Sequence, residues 1–294
     1  MTAPAPEANQ ERPPVRRFSA EYFKPLVLVL GIGGYVNAII WYVYGFGLSG
    51  WSFPGIDLAV VFYPVGQAFL ETQHPYTGLM FYGPPWAPIF GLFASLPYGL
   101  LHVAIIALDL VALWVIAGRS WVRAGLLFWF PLVISEVASG QLNILVAGAI
   151  VEAQRGRVWP LAIMSWAKLW PALALPPRRW RPFLIAVAAF AIISLPWPYL
   201  YPEWVAALLG NIAEPEAPLV PVPFLLRLPV ALVLIAIQRP WTRALGAMLA
   251  SPNLYWGQLV VVIAPISLWI QERTTRAPTV PATSGDVTAP SPAA

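Results

Sequence analysis

The chain is a succession of mostly apolar runs separated by short basic, aromatic or proline-containing breaks. Two runs, PLVLVLGIGGYVNAIIWYVYGFG (25–47) and GLLHVAIIALDLVALWVIAG (99–118), are long enough to read as membrane-crossing helices. Six more read as crossings: LLFWFPLVISEVA (126–138) and NILVAGAIVEA (143–153), each a little short for a full span, then PFLIAVAAFAIISLPWPYLY (182–201), FLLRLPVALVLIAI (224–237), ALGAMLA (244–250) and LVVVIAPISLWI (259–270). The pattern predicts an all-α polytopic membrane protein with about eight crossings.

Composition supports that class. Of the 294 residues, 59% are hydrophobic and only 10% charged, and mean hydropathy is +0.69. Soluble domains carry about a quarter charged residues. The 15 tryptophans suit interfacial belts. The 33 prolines are too many for plain spanning helices and predict broken helices and structured loops. Absence of cysteine excludes disulfides, thiolate zinc sites, iron–sulfur clusters and cysteine nucleophiles. The two histidines, His74 and His102, do not make a metal site. Net charge is +4, but the arginines fall in short scattered groups, so no nucleic-acid partner is implied.

Those groups instead give a topology, because basic residues near span ends favour the cytoplasm. They are Arg12, Arg16, Arg17 and Lys24; Arg119 and Arg123; Arg155, Arg157, Arg178, Arg179 and Arg181; Arg239 and Arg243; Arg273 and Arg276. With every group inside, both termini are cytoplasmic. VWPLAIMSWAKLWPALALPP (158–177) then enters and leaves on one face, as a re-entrant hairpin broken near Lys168–Pro171. One full span with inverted downstream topology is the alternative. Residues 1–21 and 273–294 are proline-rich and read as disordered cytoplasmic tails flanking one transmembrane domain, 22–272.

Most acids fall on the other side. A long first outer loop, about 48–97, holds HPYTGLMFYGPPW (74–86), a segment suited to a short membrane-lying helix, 57–71, and one that dips into the outer leaflet, 84–97. Asp57 opens that loop's first helix, where an aspartate often serves only as an N-cap.

Six ordered pieces carry a resemblance: Asp57 after the first span, HPYTG (74–78), FYGPP (81–85), GQLN (140–143), AKLWP (167–171) and SPNLY (251–255). Together they resemble the GT-C class of integral-membrane glycosyltransferases, in particular its polyprenyl-phosphate-mannose-dependent branch, family 87 (the DUF2029 group). The likeness covers about residues 22–272. Two departures stand out. Gly257 and Gln258 occupy the place of an expected histidine, and Gly83 is an insertion relative to the usual YPP.

The resemblance implies a GT-C-like bundle with its site on the outer face of the plasma membrane. The donor would be a sugar on a polyprenyl phosphate and the acceptor a glycan or glycolipid hydroxyl. The reaction would proceed by one inverting displacement, with no cofactor or metal and with Asp57 as general base. Other residues fill the remaining roles. Arg227, inside a span, neutralises the leaving phosphate or snorkels to headgroups. Lys168 reaches the lipid phosphate or, as the simpler reading, pairs with Asp109. Gln141 and Asn143 cap a helix or bind sugar hydroxyls, and Glu136 shares their rim. His74, Tyr76 and Tyr82 form a sugar-stacking wall or an interfacial anchor. A flippase for lipid-linked sugars and an inactive assembly partner are the alternative classes.

Overall fold

The computed structural model describes residues 23–43, 57–76, 80–213 and 220–276. These residues are helical, with no strand among them. In chain order the α-helices are α1 (Phe23–Val43), α2 (Tyr63–Thr72), α3 (Trp86–Ala94), α4 (Tyr98–Ile116), α5 (Trp121–Leu127), α6 (Pro131–Ser139) and α7 (Asn143–Arg155). They continue with α8 (Trp159–Ala167), α9 (Trp180–Ala191), α10 (Leu200–Ala213), α11 (Phe224–Ala236), α12 (Pro240–Leu249) and α13 (Ile263–Arg276).

Among the described residues only α1 and α4 are long and apolar enough to cross a membrane singly; α5 and α6, bent by 96°, make a third if they count as one broken span. Eight full crossings are therefore not what the chain forms. A helix needs about 20 residues to cross a 30 Å hydrocarbon core. By contrast α7, α9, α11 and α12 have 13, 12, 13 and 10 residues. Proline explains much of the shortening: it starts α6 and α12, and it sits inside α11 as Pro229. The outward faces stay apolar, with Val29 and Val103 strongly exposed on α1 and α4 and Leu225 on α11. That surface suits lipid better than water.

Close backbone contact builds the frame. A Cβ at Gly34 of α1 would lie 1.8 Å from the Gly125 carbonyl of α5, so only glycine lets these helices approach. Asn37 adds a 3.0 Å bond to the Phe128 carbonyl. Gly66 of α2 meets α3 in the same way, with Phe90 O only 2.0 Å from its would-be Cβ. Helix α7 is the central post, buried along nearly its whole length and packed on α4, α8 and the 3-10 turn Trp256–Val262.

Helix α8 stops where a break was expected. Lys168 is extended, and the chain turns into a 3-10 helix, Trp170–Ala174, that packs back on α8. Helix α13 runs to Arg276, past residue 272 where a tail was expected to begin. Residues 1–21 lie outside the described residues, as do 48–56 and 77–79 of the first loop.

Candidate functional site

Asp57 stands at the start of a π-helical turn, Leu58–Phe62, yet its side chain makes no capping bond there. The carboxylate turns instead to Gln141 and Ser139, with the Lys168 ammonium within electrostatic reach. Its acidity records the balance. Burial pushes the Asp57 carboxyl above its ordinary range, and Gln141, Lys168 and Ser139 oppose that only in part. The N-cap reading of Asp57 thus fails on geometry.

The same holds for GQLN. Gly140 ends α6 with φ 71°, the left-handed conformation glycine adopts freely. Neither Gln141 nor Asn143 caps α7. Asn143 donates to Glu136 Oε2 at 2.8 Å and to Gln141 Oε1 at 3.3 Å. Glu136, only 4% exposed, lies within reach of both Lys168 and Asp57. Gly257 closes over it: a Cβ there would fall 2.6 Å from Glu136 Oε1. A larger residue at 257, such as the expected histidine, would have to displace this carboxylate.

Lys168 is the hub. Its extended backbone ends α8 and delivers the ammonium over the Tyr255 ring at 5.2 Å. In the amide orientation that satisfies all neighbours, Gln258 accepts from Lys168 Nζ at 3.2 Å and donates to Ser251 Oγ and Asn253 O. A cavity of about 150 Å³ opens beside this lysine, walled by Phe81, Trp166, Trp170, Trp204 and Tyr255. Aromatic faces and a cation suit a sugar phosphate.

Most expected site residues converge here. Tyr82 lies within electrostatic reach of Tyr255, Asp57 and Glu136, and it packs edge-on against Phe62 and Phe90. Tyr76 acts through it, donating to the Tyr82 carbonyl at 3.0 Å.

Three expectations need correction. Lys168 does not pair with Asp109. That aspartate is fully buried on α4, with neither carboxylate oxygen hydrogen-bonded, while Lys168 turns to Asp57, Glu136 and Gln258. Arg227 neither awaits a phosphate nor snorkels. It is 6% exposed, and its guanidinium donates to the carbonyls of Val222, Leu249, Ser251 and Pro252 at 2.9–3.0 Å. It holds the SPNLY loop in place and so supports Tyr255 and Gln258. His74 leaves the cluster: its Nδ1 meets Glu203 Oε1 of α10 at 2.6 Å, and its ring lies 5.2 Å from Tyr199.

Sequence reasoning missed Ser139, Trp170 and Tyr255, and it left Gly83 unexplained. Gly83 donates its N–H to the Trp166 carbonyl at 2.5 Å, and a Cβ would meet Trp166 at 2.5 Å. The inserted glycine is what lets FYGPP touch α8 next to Lys168. Ser139 and Tyr255 had a signal, since each adjoins or ends a quoted piece. Trp170 lay inside AKLWP, but one tryptophan among 15 carries no mark of its own.

Comparison with family models, curated proteins and solved structures gives no match for this chain.

Proposed function

We propose that the chain is a GT-C-type glycosyltransferase of the inner (plasma) membrane, similar to family 87. In this reading it moves a sugar, mannose or a close analogue, from a polyprenyl phosphate to a hydroxyl of a glycan or glycolipid. The observation that carries the reading is the meeting of Asp57, Glu136 and Lys168, drawn from three separate segments, with Lys168 also lining an aromatic cavity.

The chemistry follows from these groups. A sugar hydroxyl is a weak nucleophile, and a fixed carboxylate helps by taking its proton as the new bond forms. The acceptor oxygen attacks the anomeric carbon from the face opposite the phosphate. The anomeric C–O bond breaks, and the polyprenyl phosphate leaves with its electron pair. Asp57 receives the hydroxyl proton, and the anomeric configuration inverts. Carboxylates nearby also favour oxocarbenium-like charge. Lys168 takes the role first given to Arg227, offsetting charge on the leaving phosphate. Tyr255, Trp166 and Trp204 supply faces for the sugar ring. Gln141 and Ser139 keep Asp57 oriented. The basic groups define the cytoplasmic face, so this site faces outward, as part of a GT-C-like bundle in which the short helices supplement the long ones.

The test uses purified protein in liposomes with radiolabelled polyprenyl-phosphate mannose and a panel of glycolipid acceptors. A labelled glycolipid of inverted configuration is the expected product. Labelled donor crossing the leaflets without any product would overturn the reading in favour of a flippase.

A further inference from the structure

At the far end of α7 from Asp57 lies a second cavity, of about 450 Å³, lined by Arg178, Arg179, Arg243, Gln154 and Gln238 with three prolines. No carboxylate lines it. Arg178 and Arg179 come from the 3-10 turn Pro177–Arg179, and Arg243 from the first turn of α12. Arg243 is the telling residue. It is 3% exposed, its Nε has no hydrogen-bond partner, and none of the described ion pairs includes it. A topogenic arginine keeps its charge in water or headgroups, whereas this one is buried against a cavity. Helix α12 begins at the same wall and adds its positive end.

The adjacent cavity provides the contrast. There Arg119, Arg155 and Arg157 surround Glu152 at 3.7, 3.1 and 3.1 Å, so the positive charge is partly answered from within. Around Arg243 it is not. Buried guanidinium without a counter-charge is costly, and three like charges about one space repel. An anionic phosphoryl group eases both, and the planar guanidinium fork matches its oxygens. Glutamine side chains can donate to such a group as well.

We infer that the cavity of Arg178, Arg179 and Arg243 binds a phosphoryl group, carried either by an anionic phospholipid headgroup or by a soluble phosphate compound. Basic pockets between membrane helices on the cytoplasmic side take lipid headgroups in this way.

The full chain in detergent micelles is assayed with two probes. Phosphatidylglycerol against phosphatidylcholine is scored as retained adducts in native mass spectrometry, and inorganic phosphate by equilibrium dialysis. Selective retention of phosphatidylglycerol assigns the site to a headgroup; saturable phosphate binding alone assigns it to a soluble ligand. Because Arg178 is exposed, Arg178→Gln should fold normally and weaken binding roughly tenfold, the worth of one charge-assisted contact. Arg119→Gln, in the neighbouring cavity, should leave it unchanged. Arg243→Gln should abolish it wherever thermal unfolding shows a folded protein. Binding of neither probe, or equal binding by wild type and Arg178→Gln, overturns the inference.

Discussion

Helix α7 has two unlike ends. At its start Asn143 holds Glu136, and Asp57 and Lys168 gather around them. At its finish, about 18 Å along the axis, Arg155 and Glu152 open onto the arginine cavities. The first end concentrates buried carboxylates around one lysine. The second concentrates guanidinium groups around one glutamate. Separation of this kind has a physical use. Carboxylates near a lone cation can exchange protons and stabilise developing positive charge. Permanently charged arginines cannot take part in proton transfer, but they hold anions and fix orientation in a membrane.

The contrast can be broken from either side. After loss of the base itself, Lys168→Gln should have the largest effect, lowering kcat about 10²–10³-fold as expected for loss of a group aimed at developing charge. Lys168→Arg should recover part of it. An unchanged kcat would remove the lysine from the reaction. Next comes Arg227→Gln, which leaves four carbonyls of the SPNLY region short of a donor and should destabilise the fold by roughly 3 kcal/mol in thermal unfolding. At the other end Arg157→Gln, an exposed partner of Glu152, should shift stability by less than about 1 kcal/mol.

Gly83→Ala falls between those two. Its Cβ would press on the Trp166 ring and carbonyl, for a loss of about 1–3 kcal/mol. Lower transfer should accompany that loss, because FYGPP can no longer rest beside Lys168. The mildest effect is on pH dependence. Asp57 accepts a proton only when ionised, and burial raises its carboxyl above the ordinary aspartate value. The rate of kcat/KM should therefore fall on the acid side with a midpoint above that value. A midpoint at or below it would show that a solvated carboxylate is the base.

How much of this was legible in the residues differs between the two ends. The basic end was visible in the residues, since arginine clusters stand out against an apolar chain. Its chemistry was not: Arg243 looks like any other topogenic arginine until packing buries it. At the acid end, Asp57, Glu136, Gln141, Asn143 and Lys168 were all visible as isolated polar residues. The long-range partners were not, because the approach of Asp57 to Gln141 and Lys168 leaves no local trace in the chain. Arg227 and Asp109 show the same limit from the opposite direction. Arg227 reads as a functional charge by position and Asp109 as the partner of Lys168, yet one is spent on backbone carbonyls and the other has neither carboxylate oxygen hydrogen-bonded. Helix count failed for a simpler reason. Apolar runs of seven to twenty residues register as crossings by hydropathy, but prolines break them into short helices.

The central claim, that the carboxylate end of α7 performs sugar transfer, is tested most directly by one rate comparison. Initial rates of transfer from radiolabelled polyprenyl-phosphate mannose are measured for wild type, Asp57→Asn and Arg157→Gln, each checked for an unchanged unfolding midpoint. The account predicts a loss of about 10²–10⁴-fold for Asp57→Asn and the wild-type rate for Arg157→Gln. Transfer by Asp57→Asn at the wild-type rate would contradict it.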